Sequence, residues 1–258
     1  MKKKILPVVI AIVLIIVIGG VSVGATLWNK YSYSKERADL SAYFNMSGEA
    51  DVAIVLQDEM AEERAKLFDG VYYVDLNTVH KYFNQRFYED KGEGLLLYTV
   101  PDDISRTKIG SSEMTDQNGT RTLSYKPALY QGDVLYVALD YIKQYTNFSY
   151  EGFQEPDRLQ IYTKWDDRQV AEIKKDTAVR ILGGVKSEVL EDLNAGDKVI
   201  LLEQMETWSK VKTMDSVIGY VENKRLQNIR VEMPIPVEDY EEPVYTSQTR
   251  QGKVNLGW

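Results

Sequence analysis

Two stretches of this chain repeat each other at an offset of 63 positions, and that repeat constrains the fold more than any other feature. Gly70-Val-Tyr-Tyr-Val-Asp-Leu-Asn-Thr-Val-His-Lys-Tyr82 matches Gly132-Asp-Val-Leu-Tyr-Val-Ala-Leu-Asp-Tyr-Ile-Lys-Gln-Tyr145. Val74 meets Val137, Leu76 meets Leu139, Val79 meets Ile142 and Tyr82 meets Tyr145. Further on, Phe87-Tyr88-Glu89 meets Ser149-Tyr150-Glu151, and Leu95–Thr99 meets Leu159–Thr163. Apolar positions matched in the same order indicate one structural motif used twice. Asp69-Gly70 and Gly132-Asp133 are tight-turn signals. Each introduces a strand, 71–74 or 134–137, and then a short helix with Asn77 or Asp140 as N-cap. A short strand, a polar turn and a closing strand complete each copy. Val52–Leu56 reads as a further strand of the first copy, and Asp102–Thr122, rich in Ser, Thr, Asp and Gly, reads as a loop between copies.

Composition excludes several chemistries. The chain has 258 residues, 44% of them hydrophobic, so it can bury a core. It has no cysteine, which removes disulfides, thiolate metal sites and a Cys nucleophile. A single histidine, His80, rules out a multi-His metal site and reads as an ordinary helix residue. No cofactor is expected. The net charge is −8, and beyond position 28 it is −11, from 28 basic and 39 acidic residues. Nucleic acid would be repelled.

Lys2-Lys3-Lys4 precedes an uncharged apolar run from Ile5 to Trp28. At about 1.5 Å per residue it spans roughly 35 Å, enough to cross a hydrocarbon core of about 30 Å. Residues 1–28 are therefore expected to be a transmembrane helix with its N-terminus cytoplasmic and the bulk of a single-pass protein outside. A cleaved signal peptide ending at Val23-Gly24-Ala25 is the competing reading, against which apolar residues continue past Gly19-Gly20 to Trp28. Residues 29–49 read as a stalk without chemistry. The sequons at Asn45, Asn118 and Asn147 read as chance occurrences.

From Val170 the pattern becomes all-β. Strands are expected at 171–173, 177–182, 187–190, 198–203, 208–213 and 218–221. Trp208 and Tyr220 could present flat aromatic faces to a ligand, with Arg180 as a nearby cation; the alternative for Trp208 is packing in the core. Gly183–Ser187 lacks the contiguous Gly-Lys-Ser/Thr of a phosphate loop, and Asp192–Asp197 misplaces the glycine of a calcium loop, so both read as turns. Residues 230–250 form a Pro-rich acidic linker. Lys253–Trp258, within 251–258, looks like the first strand of a further domain.

Two resemblances follow from these residues. The turn glycine, the Tyr-Val-x-Leu strand end, the helix and the closing Tyr-Thr strand over 50–165 resemble the copper amine oxidase N-terminal-like domain of Gram-positive surface proteins. Copper itself is not implied, because the nitrogen donors are missing. Thr177–Arg180, Leu193-x-x-Gly196-Asp-Lys-Val199, Trp208-Ser-Lys-Val211 and Ile218-Gly-Tyr-Val221 resemble the bacterial SH3-like (SH3b) domain over 170–229. Leu182-Gly183-Gly184 departs from that family's usual Gly-Pro-Ser.

The expected fold class is thus an N-terminal transmembrane helix, an α+β duplicated domain and an all-β SH3-like barrel. The order of modules resembles the N-terminal, non-catalytic half of membrane-anchored glycoside hydrolase family 18 proteins. The family's acidic catalytic strand motif is absent from this chain, so no catalytic residue is assigned. The resemblance implies a region that binds cell-wall glycan or peptide, with Arg180, Trp208 and Tyr220 as ligand-binding residues, and positions a (β/α)8 glycosidase barrel. The alternative is a stand-alone surface sensor or scaffold.

Overall fold

The computed structural model describes residues 26, 28–48, 50–100 and 103–233. It divides into two compact units. One comprises Leu40–Arg168 with the residues from Val231 on, the other the residues up to Asp39 with Gln169–Arg230.

In the first unit, α1 (Leu40–Tyr43) precedes β1 (Asp51–Leu56), β2 (Glu59–Phe68) and β3 (Val71–Asp75). Then come α2 (Leu76–Tyr82), β4 (Phe87–Asp90), β5 (Leu95–Val100), β6 (Asp103–Lys108), β7 (Glu113–Asp116) and β8 (Gly119–Thr122). The second half runs β9 (Ala128–Gln131), β10 (Val134–Ala138), α3 (Leu139–Ile142), β11 (Ser149–Phe153) and β12 (Arg158–Tyr162). One sheet has the order β11-β12-β1-β2-β3-β10-β9, and the other is the meander β4-β5-β6-β7-β8. β1 and β12 pair in parallel; the other pairings are antiparallel.

The duplication is visible strand by strand. β2 turns into β3 with Phe68 opposite Val71, and β9 turns into β10 with Gln131 opposite Val134, at the same register in both copies. Asp69 and Gly70 both adopt positive φ, 50° and 77°, as a two-residue hairpin turn requires. Phe87 faces Tyr98 across β4–β5, as Ser149 faces Tyr162 across β11–β12. Tyr82 ends α2, and Tyr145 occupies the same place in the turn that follows α3.

The copies differ in their caps. Asp75 caps α2, its Oδ1 accepting from the amides of Asn77 (3.0 Å) and Thr78 (3.1 Å). The equivalent position in the second copy is Ala138, which has no capping side chain, and α3 stops after four residues against seven for α2. The N-cap positions thus fall two residues before the expected Asn77 and Asp140; Asp140 lies inside the first turn of α3 and accepts from the Tyr150 hydroxyl at 2.5 Å.

The stretch 102–122, expected as a loop, contains most of the second sheet. Its buried positions are Ser105, Thr107 and Met114, so aliphatic alternation is nearly absent. The two hydroxyls have a partner in the core: Tyr141 Oη lies 3.1 Å from Ser105 Oγ and 3.1 Å from Thr107 Oγ1. Around that network the rings of Phe87, Tyr98 and Tyr145 close up, with Tyr98 stacked on Tyr145 at 4.1 Å. Buried polar groups satisfied in this way cost little and define the packing.

The second unit contains β13 (Arg168–Ile173), β14 (Thr177–Arg180), β15 (Val189–Leu193), β16 (Lys198–Gln204), β17 (Trp208–Thr213) and β18 (Ile218–Glu222). A 3₁₀ turn, Asn223–Arg225, leads to β19 (Leu226–Glu232). The sheet order is β15-β14-β18-β17-β16-β13-β19. All six expected strands are present, and β19 extends into the stretch where the linker was expected to start.

Two expectations are corrected. The fold class is not transmembrane helix plus α+β domain: the described chain is three β-sheets with short helices. Helices α1 to α3 have four to seven residues, at most about 10 Å long. Among the described residues no helix is long and apolar enough to cross a membrane, so the single-pass cell-membrane location is not sustained. Most of the expected span, together with the linker from 234 and the strand at 251–258, lies outside the described residues.

Candidate functional site

The three residues singled out in the sequence come together on β14, β18 and β17. Arg180 lies opposite Tyr220, Tyr220 opposite Lys210, and Trp208 opposite Glu222. Cross-strand partners share a face, and alternate residues point to opposite faces. Trp208, Lys210, Tyr220 and Glu222 therefore form one partly exposed face, while Val179, Val211 and Val221 line the fully buried reverse.

Glycines shape both sides. Gly219 lies between Ile218 and Tyr220 where the Arg180 carbonyl oxygen would be only 2.6 Å from a Cβ. Only a residue without a side chain lets β14 approach there. Gly183 passes over Trp208, so close that a Cβ would be 3.1 Å from that of the tryptophan. Trp208 is consequently neither a core residue nor a free one: its ring is flanked by the Gly183 loop on the sheet's outer face.

Arg180 is only 4% exposed, because residues 32–38 lie across it. Its Nη2 donates to the Ser34 carbonyl at 2.9 Å and its Nη1 to the Ser187 carbonyl, and its Cζ stands 5.5 Å from the Tyr33 ring centre. Burial holds its pKa below the ordinary arginine value. The guanidinium is thus committed to this chain's own backbone and is not open to a ligand.

The segment 32–38, expected to be a stalk, is a strap on the edge of β15. Ser34 N donates to Val185 O (2.7 Å), Val189 N to Glu36 O (2.8 Å) and Ala38 N to Val189 O (2.9 Å). Arg37 pairs with Asp192. The Tyr33 hydroxyl donates to Glu222 Oε2 at 2.5 Å, and Lys224 pairs with Glu222 at 2.7 Å. Burial pushes the Glu222 carboxyl up, but the hydrogen bonds from Lys224 and Tyr33 outweigh it and hold its pKa below the ordinary value. Tyr33, Glu222 and Lys224 carry no motif that sequence reading could use. The strap's 32–38 sequence has no strand alternation, and its partners are about 150 positions away.

Between the strap and β14–β15 lies a cleft of about 490 Å³. Four cations, Lys35, Arg37, Arg180 and Arg225, and two carboxylates, Asp176 and Asp192, line it. Trp208 and Tyr220 do not.

Elsewhere, His80 Nε2 lies 2.7 Å from the Phe87 carbonyl oxygen, a helix-to-strand contact. Among the described residues no group of three or more His, Cys, Asp or Glu side chains could hold a metal ion. Gly183–Ser187 is a turn, with Ser187 N donating to Gly184 O at 3.1 Å. Asp192–Asp197 ends in another, closed by Asn194 N on Asp197 Oδ2 at 2.6 Å. Comparison with protein-family models, curated proteins and solved structures finds no match to this chain.

Proposed function

We propose that this chain is a non-catalytic binding module that holds cell-wall glycan or peptide on the β17–β18 face, and that it serves as the positioning part of a glycoside hydrolase family 18 protein. One observation carries the reading: Trp208 and Tyr220 share a partly exposed face with Lys210 and Glu222. An aromatic face beside charged donors and acceptors suits a sugar ring, which offers C–H groups to stack and hydroxyls to hydrogen-bond. The four SH3-like motifs, which fall on β14, the turn before β16, β17 and β18, support the same assignment. Because the chain is acidic, stacking rather than net charge provides the grip, so binding survives moderate salt.

The test is cosedimentation of the full chain with peptidoglycan sacculi at about 0.15 M salt. Tyr220→Ala should weaken binding by roughly three- to tenfold, the worth of one aromatic contact. Tyr88→Ala, exposed on β4 of the other unit, is the matched control and should leave it unchanged. Failure to sediment, or equal loss in both variants, overturns the binding role. Turnover of peptidoglycan or chitin by the purified chain overturns the non-catalytic part.

A further inference from the structure

The strap carries an aromatic ring, Tyr33, that is 39% exposed, more than either Trp208 or Tyr220. Arg180 lies opposite Tyr220, and Glu222 follows Tyr220 by two positions, so these three side chains leave the sheet on one side. The Tyr33 ring centre is 5.5 Å from Arg180 Cζ and 5.7 Å from Lys224 Nζ, and its hydroxyl donates to Glu222 Oε2 at 2.5 Å. A ring in contact with both Arg180 and Glu222 stands over the same side of the sheet as Tyr220 and Trp208. Its backbone is tied as well: the next residue, Ser34, donates its amide to Val185 O at 2.7 Å and accepts from Arg180 Nη2 at 2.9 Å. With backbone and hydroxyl both held, the ring has little rotamer freedom left to lose on binding. A large ring that is fixed in place and open to solvent is what stacking on a ligand needs.

We infer that Tyr33 is a third aromatic contact of the β17–β18 face, and that the docked strap completes this face as a sugar-stacking surface. The inference rests on the glycan reading of the face proposed above. It adds a dependence that the face alone does not have. Because residues 32–38 deliver Tyr33, the ligand binds the chain with its strap docked more tightly than the chain with its strap released. Linkage makes the effect reciprocal, so bound ligand holds the strap down by the same factor. Arg180 is a positioning residue here: it lies buried beneath the strap and acts through Ser34 and Tyr33 rather than on the ligand.

Cosedimentation of the full chain with peptidoglycan sacculi, joined to amide exchange in the strap, tests this. Tyr33→Ala should weaken binding by roughly three- to tenfold, the worth of one aromatic contact. Tyr33→Phe keeps the ring and should stay within about twofold of wild type. Arg37→Ala, on the same strap but paired with Asp192 of β15, should bind as wild type does. In the wild-type chain, saturating sacculi should slow exchange of the Ser34 and Ala38 amides by at least about threefold, the reciprocal of the Tyr33 loss. Undiminished binding by Tyr33→Ala, a loss equal to that of Tyr33→Phe or of Arg37→Ala, or exchange unchanged by sacculi overturns the role of Tyr33. Each of these can occur while Tyr220→Ala still loses binding, which leaves the face itself standing. Failure of the wild-type chain to sediment overturns both. The exchange measurement uses the unaltered chain, so it decides the matter even if Tyr33→Ala does not fold.

Discussion

Val74 lies directly opposite Val137 in the β3–β10 ladder, and the two are the same position in the two copies of the repeat. An antiparallel ladder has a local two-fold axis through each directly opposed pair. The axis through this pair therefore relates the copies, carrying hairpin β2–β3 onto β9–β10 at equal register. Past the helices the symmetry is broken. The first copy sends β4–β5 into the five-stranded sheet, whereas the second sends β11–β12 into the seven-stranded one by pairing β12 with β1.

Two-fold equivalence makes a quantitative prediction. Both valines are fully buried, and both contribute to one core. Val74→Ala and Val137→Ala should each destabilise the chain by about 2 kcal/mol, read from urea unfolding. The double variant should fall short of or exceed the sum, since the residues touch across the ladder. A cost for one valine less than half that of the other would refute equivalent packing.

Glycine 219 carries a sharper expectation. A methyl group there would meet the Arg180 carbonyl oxygen and Val179 Cγ1, both at 2.6 Å, and Leu190 Cδ1 at 2.9 Å. Backbone cannot give way as a side-chain tip can, so Gly219→Ala should cost about 3 kcal/mol, the upper end for overpacking. Gly184→Ala is the control. Nothing lies within 4 Å of its position, and the change should stay within about 0.5 kcal/mol. Similar thermal midpoints for the two variants would sink the close approach of β14 to β18.

How much of this was legible in the sequence depends on where each signal is stored. The repeat was readable because Val74, Val137, Tyr82 and Tyr145 hold matched apolar and aromatic positions, and the Asp69-Gly70 turn because its chemistry is local. Strands β6 to β8 were not, because the positions they bury are mostly Ser105 and Thr107, whose partner is the hydroxyl of Tyr141 more than 30 residues away. A polar residue buried against a distant polar residue looks, in sequence, like a loop. The site was legible by half for the same reason. Trp208 and Tyr220 announce an aromatic face through strand alternation. The commitment of Arg180 to the Ser34 carbonyl, 146 positions upstream, leaves no local trace.

That commitment is itself testable. Arg180→Met keeps much of the aliphatic stem but leaves the carbonyls of Ser34 and Ser187 without their donor. The strap should loosen, and amide exchange at Ser34, Ala38 and Val189 should quicken by about tenfold or more. Arg37→Ala removes an ion pair whose side chains are 60% and 64% exposed, and the same amides should barely respond. Equal protection in wild type and Arg180→Met would show that backbone pairing alone holds the strap.

Asp51 gives the pH dependence of the first unit a named source. It lies opposite Lys66 in the β1–β2 ladder and is only 4% exposed. Burial pushes its carboxyl up, but the Lys66 ammonium and the Ser47 hydroxyl, at 2.7 Å, and amide, at 3.2 Å, outweigh it. Its folded pKa is therefore below the ordinary carboxylate value. A depressed carboxylate contributes stability that is fully present above the unfolded value, about 3.9, and is lost as pH falls through the lower folded one. Asp51→Asn should cost about 2 kcal/mol at neutral pH, since Lys66 loses its partner. Below about pH 4 the deficit should shrink, because the wild type then protonates the group that the variant lacks. Denaturant unfolding of both chains from neutral pH to about pH 2.5 measures this, with the difference cancelling the other carboxylates. A deficit constant across that range would show that the Asp51 carboxylate does not keep its charge through the ladder pair with Lys66.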